Sequence, residues 1–166
     1  MDIDIAIQIH RLQENLSSIR RIAGWTAGQL GMMLGVSKQN ISNIENGKTN
    51  LSQAQYIAIR HLIEYKAAQK PQNKMLLRIV SLIVDRSDIV GHDYNTLKDT
   101  VKNIGAAAAS MNGEALNTFA AVMLKASYTR AADHSEIEGL LKDAIESKQI
   151  MDWTTVLVNA NVKEEK

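Results

Sequence analysis

The chain has 166 residues, 45% hydrophobic and 22% charged, with a net charge of +1 and no cysteine. Disulfide scaffolds and thiolate metal sites are thereby excluded, and no apolar run approaches the roughly 20 residues that cross a bilayer. The length suits one ordinary domain, or a small module with a second core behind it. The near-neutral total hides an asymmetry. Residues 1–70 carry eight Lys/Arg against five Asp/Glu, and residues 71–166 carry eleven against thirteen. A basic front and an acidic rear imply different tasks for the two parts. The opening Met1-Asp2-Ile3-Asp4 lacks the basic flank of a signal peptide, so a cytoplasmic location is expected.

In chain order, Ile3, Ile5, Ile7 and Ile9 alternate with the period of a strand. Ile5, Ile9 and Leu12 also fall at helical spacing, but the alternation favours an extended arm over residues 1–9. Ile9, Leu12, Leu16, Ile19 and Ala23 then mark one face of a first helix. Thr26 is placed to cap a short second helix holding Leu30, Met33 and Leu34. Ser37 is placed to cap a third with Ile41 and Ile44 inward, and Ser52 a fourth through Tyr56, Ile59, Leu62 and Ile63. The single proline, Pro71, disfavours helix before it and can open the next. It sets the expected boundary between a domain at 1–70 and a second at 71–166. Beyond it, residues 75–84 read as a buried helix, followed by helices over 95–110, 113–128 and 135–147. Residues 154–158 read as a strand or docked tail, and 163–166 as a loose end.

The stretch from Thr26 to Lys48 holds the chemistry. A short helix ends at Gly35, Val36 fills the corner, and Ser37 opens the next helix. Ile41 and Ile44 face inward, and Gly47 ends that helix in the left-handed conformation glycine favours. Lys38, Gln39, Asn40 and Asn43 are left on the outer face. A solvated helix is usually rich in Glu and Lys, whereas this face carries carboxamides. Carboxamides pair a donor with an acceptor, as adenine requires in the major groove, and Lys reaches guanine acceptors or a phosphate. The bland alternative is a solvated face used for protein contact.

In these residues the chain resembles the Cro/CI-type (XRE) helix-turn-helix family of repressors. The resemblance covers residues 12–63 and is most specific at Leu34-Gly35-Val36-Ser37 and from Ile41 to Lys48. It implies an all-α fold: a lambda-repressor-like bundle whose third helix reads the major groove of double-stranded DNA, followed here by a helical C-terminal domain. Lys38, Gln39, Asn40 and Asn43 would face base edges. Thr26, Ser37, Ser42, Asn46, Lys48 and Thr49 would lie near phosphates. Arg20 and Glu45 would form a structural ion pair holding the third helix against the first. The chain departs from the family at Ala27, where a Gln phosphate contact is common, and at Gly31, where a small Ala is usual. Gly28 adds a second glycine inside the helix, and each costs about 1 kcal/mol relative to Ala.

Other features have plainer readings. His10, His61, His92 and His134 are too widely spaced for a helical metal pair. The segment from Gly105 to Gly113 lacks the ending of a phosphate loop. Asp85, Asp88 and Asp93 do not match an EF-hand and are expected to serve capping and solubility. Trp25 is expected at the junction of the first two helices, and Trp153 as an anchor for the tail. No cofactor, metal or catalytic constellation is recognisable, so the sequence reads as a non-enzymatic regulator, a repressor and a homodimer. Residues 75–84 and 119–124 are apolar enough to bury against a partner or to form an intramolecular core. The competing reading is an interaction protein, such as an antitoxin or phage/host adaptor. Its C-terminal domain would bind a protein or small ligand, and its helix-turn-helix would serve autoregulation.

Overall fold

The computed structural model describes residues 3–127, and within them the fold is helical throughout, with no strand. Helices α1 (Ile3–Glu14) and α2 (Leu16–Ile22) follow one another across a kink at Asn15. Then come α3 (Ala27–Leu34), α4 (Lys38–Glu45) and α5 (Gln53–Gln69). Pro71 opens a single 3-10 turn, Pro71–Asn73, leading into α6 (Lys74–Val80). A wide π turn over Ser81–Asp85, α7 (Gly91–Ala107) and α8 (Gly113–Ser127) complete the described chain. The segments expected at 135–147, 154–158 and 163–166, with His134 and Trp153, lie outside the described residues.

Residues 3–9 are the start of α1, not an extended arm. The helical spacing of Ile5, Ile9 and Leu12 prevails over the alternation because that spacing seats Leu12 in the core, with Ile9 packed against it. Arg11 then pins α1 to the rear of the chain. Its buried guanidinium donates to the carbonyls of Arg86 at 2.7 Å and Ile89 at 2.6 Å, and lies 4.3 Å above the Tyr94 ring.

The boundary expected at Pro71 falls at a helix junction across which the core is continuous. Leu12, Leu16, Ile19, Ile59 and Ile63 share one buried cluster with Ile79, Ile83, Val101, Ile104 and Leu124. Within residues 75–84, Met75, Leu76, Ile79, Val80, Leu82, Ile83 and Val84 are all buried in this core. That segment is therefore intramolecular filling, not a free partner surface. Three consecutive buried side chains cannot share one face of an α-helix, and they coincide with the π turn. Asp85 and Asp88 are ion-paired instead of serving as caps. Arg60 donates to Asp85 at 2.9 Å and Arg86 to Asp88 at 2.9 Å.

Front and rear also meet where α7 packs against α2. A Cβ added at Gly105 would lie 2.8 Å from the Cα of Ser18, so the two helices meet with no room for a side chain. Beside this contact, Tyr94 donates to Glu14 at 2.7 Å and accepts from Asn15 at 3.2 Å. Burial would raise the Glu14 pKa. The Tyr94 and Lys98 hydrogen bonds and the charges of Lys98 and His10 outweigh it and hold the carboxyl below its ordinary value. Burial and the bond to Glu14 push Tyr94 up to about 12.

Three substitutions probe this packing. Gly105→Ala should destabilise by about 1–3 kcal/mol in urea unfolding, because it overpacks a backbone contact. Gly28→Ala on α3, where an added Cβ would meet only the Thr26 hydroxyl at 3.9 Å, should stabilise by up to about 1 kcal/mol. A folded pKa below the unfolded one means that Glu14 contributes stability fully above the ordinary carboxylate range. That contribution drains away as pH falls through the depressed folded value. Glu14→Gln should therefore shallow the acid limb of a stability–pH curve, and an unchanged limb would contradict the network.

Candidate nucleic-acid interface

The segment from Thr26 to Lys48 folds as its punctuation directs. Thr26 caps α3 reciprocally with Gln29: the Thr26 hydroxyl accepts from the Gln29 amide at 3.1 Å, and Gln29 Oε1 accepts from the Thr26 amide at 2.8 Å. Gly35 turns the chain at φ +71°, and the Ser37 hydroxyl accepts from the Asn40 amide at 3.0 Å to open α4. Gly47, also at φ +71°, closes it. Gly31 is required by packing. A Cβ there would lie 2.7 Å from the Val36 carbonyl oxygen, so the turn sits directly on α3 at that position. This approach rotates the buried face of α3 toward Leu30 and Gly31. Met33 is 43% exposed, and Met32 is 81% exposed.

Helix α4 is gripped on three sides. Ile41 and Ile44 are fully buried. Arg20 Nε donates to Glu45 Oε1 at 2.6 Å and Arg20 Nη2 to Glu45 Oε2 at 3.2 Å, with both side chains nearly buried. A further Arg20 nitrogen donates to the carbonyl of Trp25 at 2.9 Å, so one guanidinium ties α2, the α2–α3 turn and α4 together. Trp25 itself packs partly buried at that turn. The sequence reading missed Gln13. Its Nε2 donates to the carbonyls of Ile44 at 3.0 Å and Thr49 at 2.9 Å, and its Oε1 accepts from the Leu51 amide at 2.9 Å. One carboxamide thus holds the end of α4 and the loop after it. A lone Gln on a helix carries no motif that would have revealed this.

The outer face of α4 presents Lys38 and Gln39 exposed and Asn43 half-buried. Gln39 Nε2 donates to Asn43 Oδ1 at 3.0 Å, which orders the two carboxamides as a pair one turn apart. Gln39 Oε1 and the Asn43 amide nitrogen stay available, an acceptor beside a donor. Asn40 stands apart from this pair on the flank of the helix, and its Oδ1 is buried without a hydrogen-bond partner. Ser42 accepts from Asn46 Nδ2 at 3.3 Å. Asn46, Lys48 and Thr49 are exposed on the loop leaving α4, where the Lys48 and Thr49 amides bond back to the Asn43 carbonyl at 2.8 and 3.3 Å. Thr26 and Ser37 are exposed at the two helix starts. The face thus joins carboxamides, hydroxyls and two lysines, with its one nearby carboxylate, Glu45, turned inward onto Arg20. Among the described residues no cluster could hold a metal ion, and no helix is long and apolar enough to cross a membrane.

Residues 16–67, just under a third of the chain, match the family model described as Helix-turn-helix. The segment is a helix-turn-helix of the Cro/CI type, a DNA-binding regulatory module. Comparisons with curated proteins and with solved structures find no match.

Removing the Glu45 carboxylate strands the Arg20 guanidinium in a nearly buried setting. Glu45→Ala should therefore destabilise the protein by about 3–5 kcal/mol in urea unfolding followed by tryptophan fluorescence. A loss below about 1 kcal/mol would mean that the pair behaves as an exposed one.

Proposed function

We propose that the protein is a homodimeric, sequence-specific transcriptional repressor, acting in the cytoplasm, that reads the major groove with α4. The observation that carries this reading is the ordered Gln39–Asn43 pair on the outer face of a helix whose other sides are all occupied. A carboxamide that offers donor and acceptor together matches the N6/N7 edge of adenine, and Lys38 reaches guanine acceptors or a phosphate. Asn40, on the flank, meets the duplex at the margin of this face. Thr26, Ser37, Ser42, Asn46, Lys48 and Thr49 surround it with hydroxyls, a carboxamide and a cation suited to phosphate oxygens, which set register without reading sequence. Two copies reading half-sites about one helical turn apart would supply the specificity that one short helix lacks. The rear of the chain, from α6 onward, buttresses the reading head and is where a regulating signal would act.

The test is titration of the full chain against duplex DNA selected from a random pool, with unselected duplex as control, at two salt concentrations. Gln39→Ala and Asn43→Ala should each weaken binding to the selected duplex by about 1–3 kcal/mol with unchanged thermal stability. Lys48→Ala should weaken selected and unselected duplexes alike and lower the salt slope by about one. Unchanged affinity in both carboxamide variants would refute α4 as the reading face.

A further inference from the structure

The seam between α2 and α7 is saturated at one end and unsatisfied along the rest. At the saturated end, Glu14 accepts from Tyr94 at 2.7 Å and pairs with Lys98 at 3.3 Å, and Asn15 donates to Tyr94. Starting from these residues, the two helices line an open groove of about 660 Å³. One wall is the flank of α2, with Ser17, Ser18 and Arg21. The other is the flank of α7, with Asn95, Asp99 and Lys102. Spacings of three and four residues set each trio on one face of its helix. From Asn95 to Ala106 the α7 wall runs about 16 Å. Among the described residues, none of these six side chains has a hydrogen bond or an ion pair. Asp99 and Lys102 stand at the i, i+3 spacing of a helix pair without closing one.

We propose that this groove binds a small phosphorylated polyol, with the phosphate between Arg21 and Lys102 and the hydroxyls along Asp99, Asn95 and the two serines. Its volume falls in the range of roughly 300–1,000 Å³ typical of small-molecule sites. The chemistry of the walls sets the class. Two unpaired cations on facing walls suit a group that carries close to two negative charges, as a phosphate monoester does near neutral pH. Arg21 offers a planar fork for two phosphate oxygens, and Lys102 adds a point charge. Glu14 does not compete for them, because Lys98 and Tyr94 hold it. Asp99 disfavours a second phosphate but accepts from hydroxyls, and Ser17, Ser18 and Asn95 both donate and accept. The walls carry no aromatic ring, and Ala106 is their one apolar side chain, so nothing there stacks a nucleobase or buries an acyl chain. The walls are also preset. Gly105 lies against Ser18 and Asn15 is bonded to Tyr94, so the groove stands open without a ligand to order it. An occupant would bridge α2 and α7 one residue away from Arg20, which holds the end of α4. The inference goes beyond the DNA-binding reading and does not require it.

The test is calorimetric titration of the full chain with three probes: ribose 5-phosphate, inorganic phosphate and ribose. Ribose 5-phosphate should bind at one site, inorganic phosphate more weakly, and ribose not detectably. Arg21→Ala and Lys102→Ala should each weaken ribose 5-phosphate by about tenfold or more, the loss of a charge-assisted hydrogen bond. Lys70→Ala, at an exposed lysine outside the groove, should leave it unchanged. Asp99→Ala should narrow the preference for ribose 5-phosphate over inorganic phosphate, since it removes a partner of the hydroxyls alone. Thermal melting without probe checks that each variant is folded. Failure of both phosphates to bind, or an equal loss in Lys70→Ala, would overturn the site. So would probe affinity untouched by Arg21→Ala and Lys102→Ala while both variants lose affinity for unselected duplex, an outcome that assigns the two cations to the DNA backbone.

Discussion

Eight residues are too few to sustain a helix in water, because nucleation costs more than so short a run of hydrogen bonds returns. Helix α4 therefore depends on what grips it. Ser37 caps its start, Ile41 and Ile44 anchor its inner side, and Arg20 and Gln13 hold its end. The Arg20–Glu45 pair bears most on the site, since the same guanidinium also fixes the Trp25 turn that launches α3. None of the gripping groups lies on the outer face. Gln39 and Asn43 are thus relieved of any duty to the fold, which is the condition under which a surface can be shaped for recognition alone.

The rear of the chain completes this support. Helix α2 bears on α4 through Arg20 along one side and receives α7 at Ser18 along another. The contact with α7 is backbone against backbone, which makes it stiff: interiors packed at this density do not deform smoothly. Arg11 adds a second fastening, reaching two carbonyls of the loop before α7. The helix-turn-helix module and the helices behind it are consequently parts of one core, although a family match delimits only the first. A displacement of α7 would be felt at α2, and through Arg20 at the end of α4.

The local punctuation of the fold was legible in the sequence because it is encoded locally. Thr26, Ser37 and Ser52 cap the helices assigned to them, and Gly35 and Gly47 take left-handed conformations, since each depends on a few neighbouring residues. Tertiary consequences were not legible. Residues 3–9 carry strand and helix periods at once, and only the core that receives Leu12 decides between them. The apolar run at 75–84 was compatible with a partner or a core, and the presence of α1, α5 and α7 around it settles the matter. Gly31 lies against the Val36 carbonyl, a contact no periodicity contains. Gln13 and Arg11 act across 31 to 78 residues of chain through single side chains, so no window of sequence could show their partners.

Long polar reach also explains why a chain with so many interchangeable aliphatic residues settles on one arrangement. Cores tolerate extensive exchange of Leu, Ile and Val provided volume is kept, losing uniqueness before stability. Here the buried cluster is almost wholly Leu, Ile, Val and Ala, and several helices are short enough to slide. Three arginines remove that freedom. Arg20 binds Glu45, Arg60 binds Asp85, and Arg11 binds the loop at Arg86 and Ile89. Arg11 and Arg20, both nearly buried, would each leave a poorly solvated cation if their helices shifted by a turn, a penalty of several kcal/mol against the small differences among aliphatic packings, while the partly exposed Arg60 adds less. The apolar residues thus supply the drive to collapse, and the arginines select which collapsed form persists. The orientation of α4, and with it whatever the outer face recognises, follows from that selection.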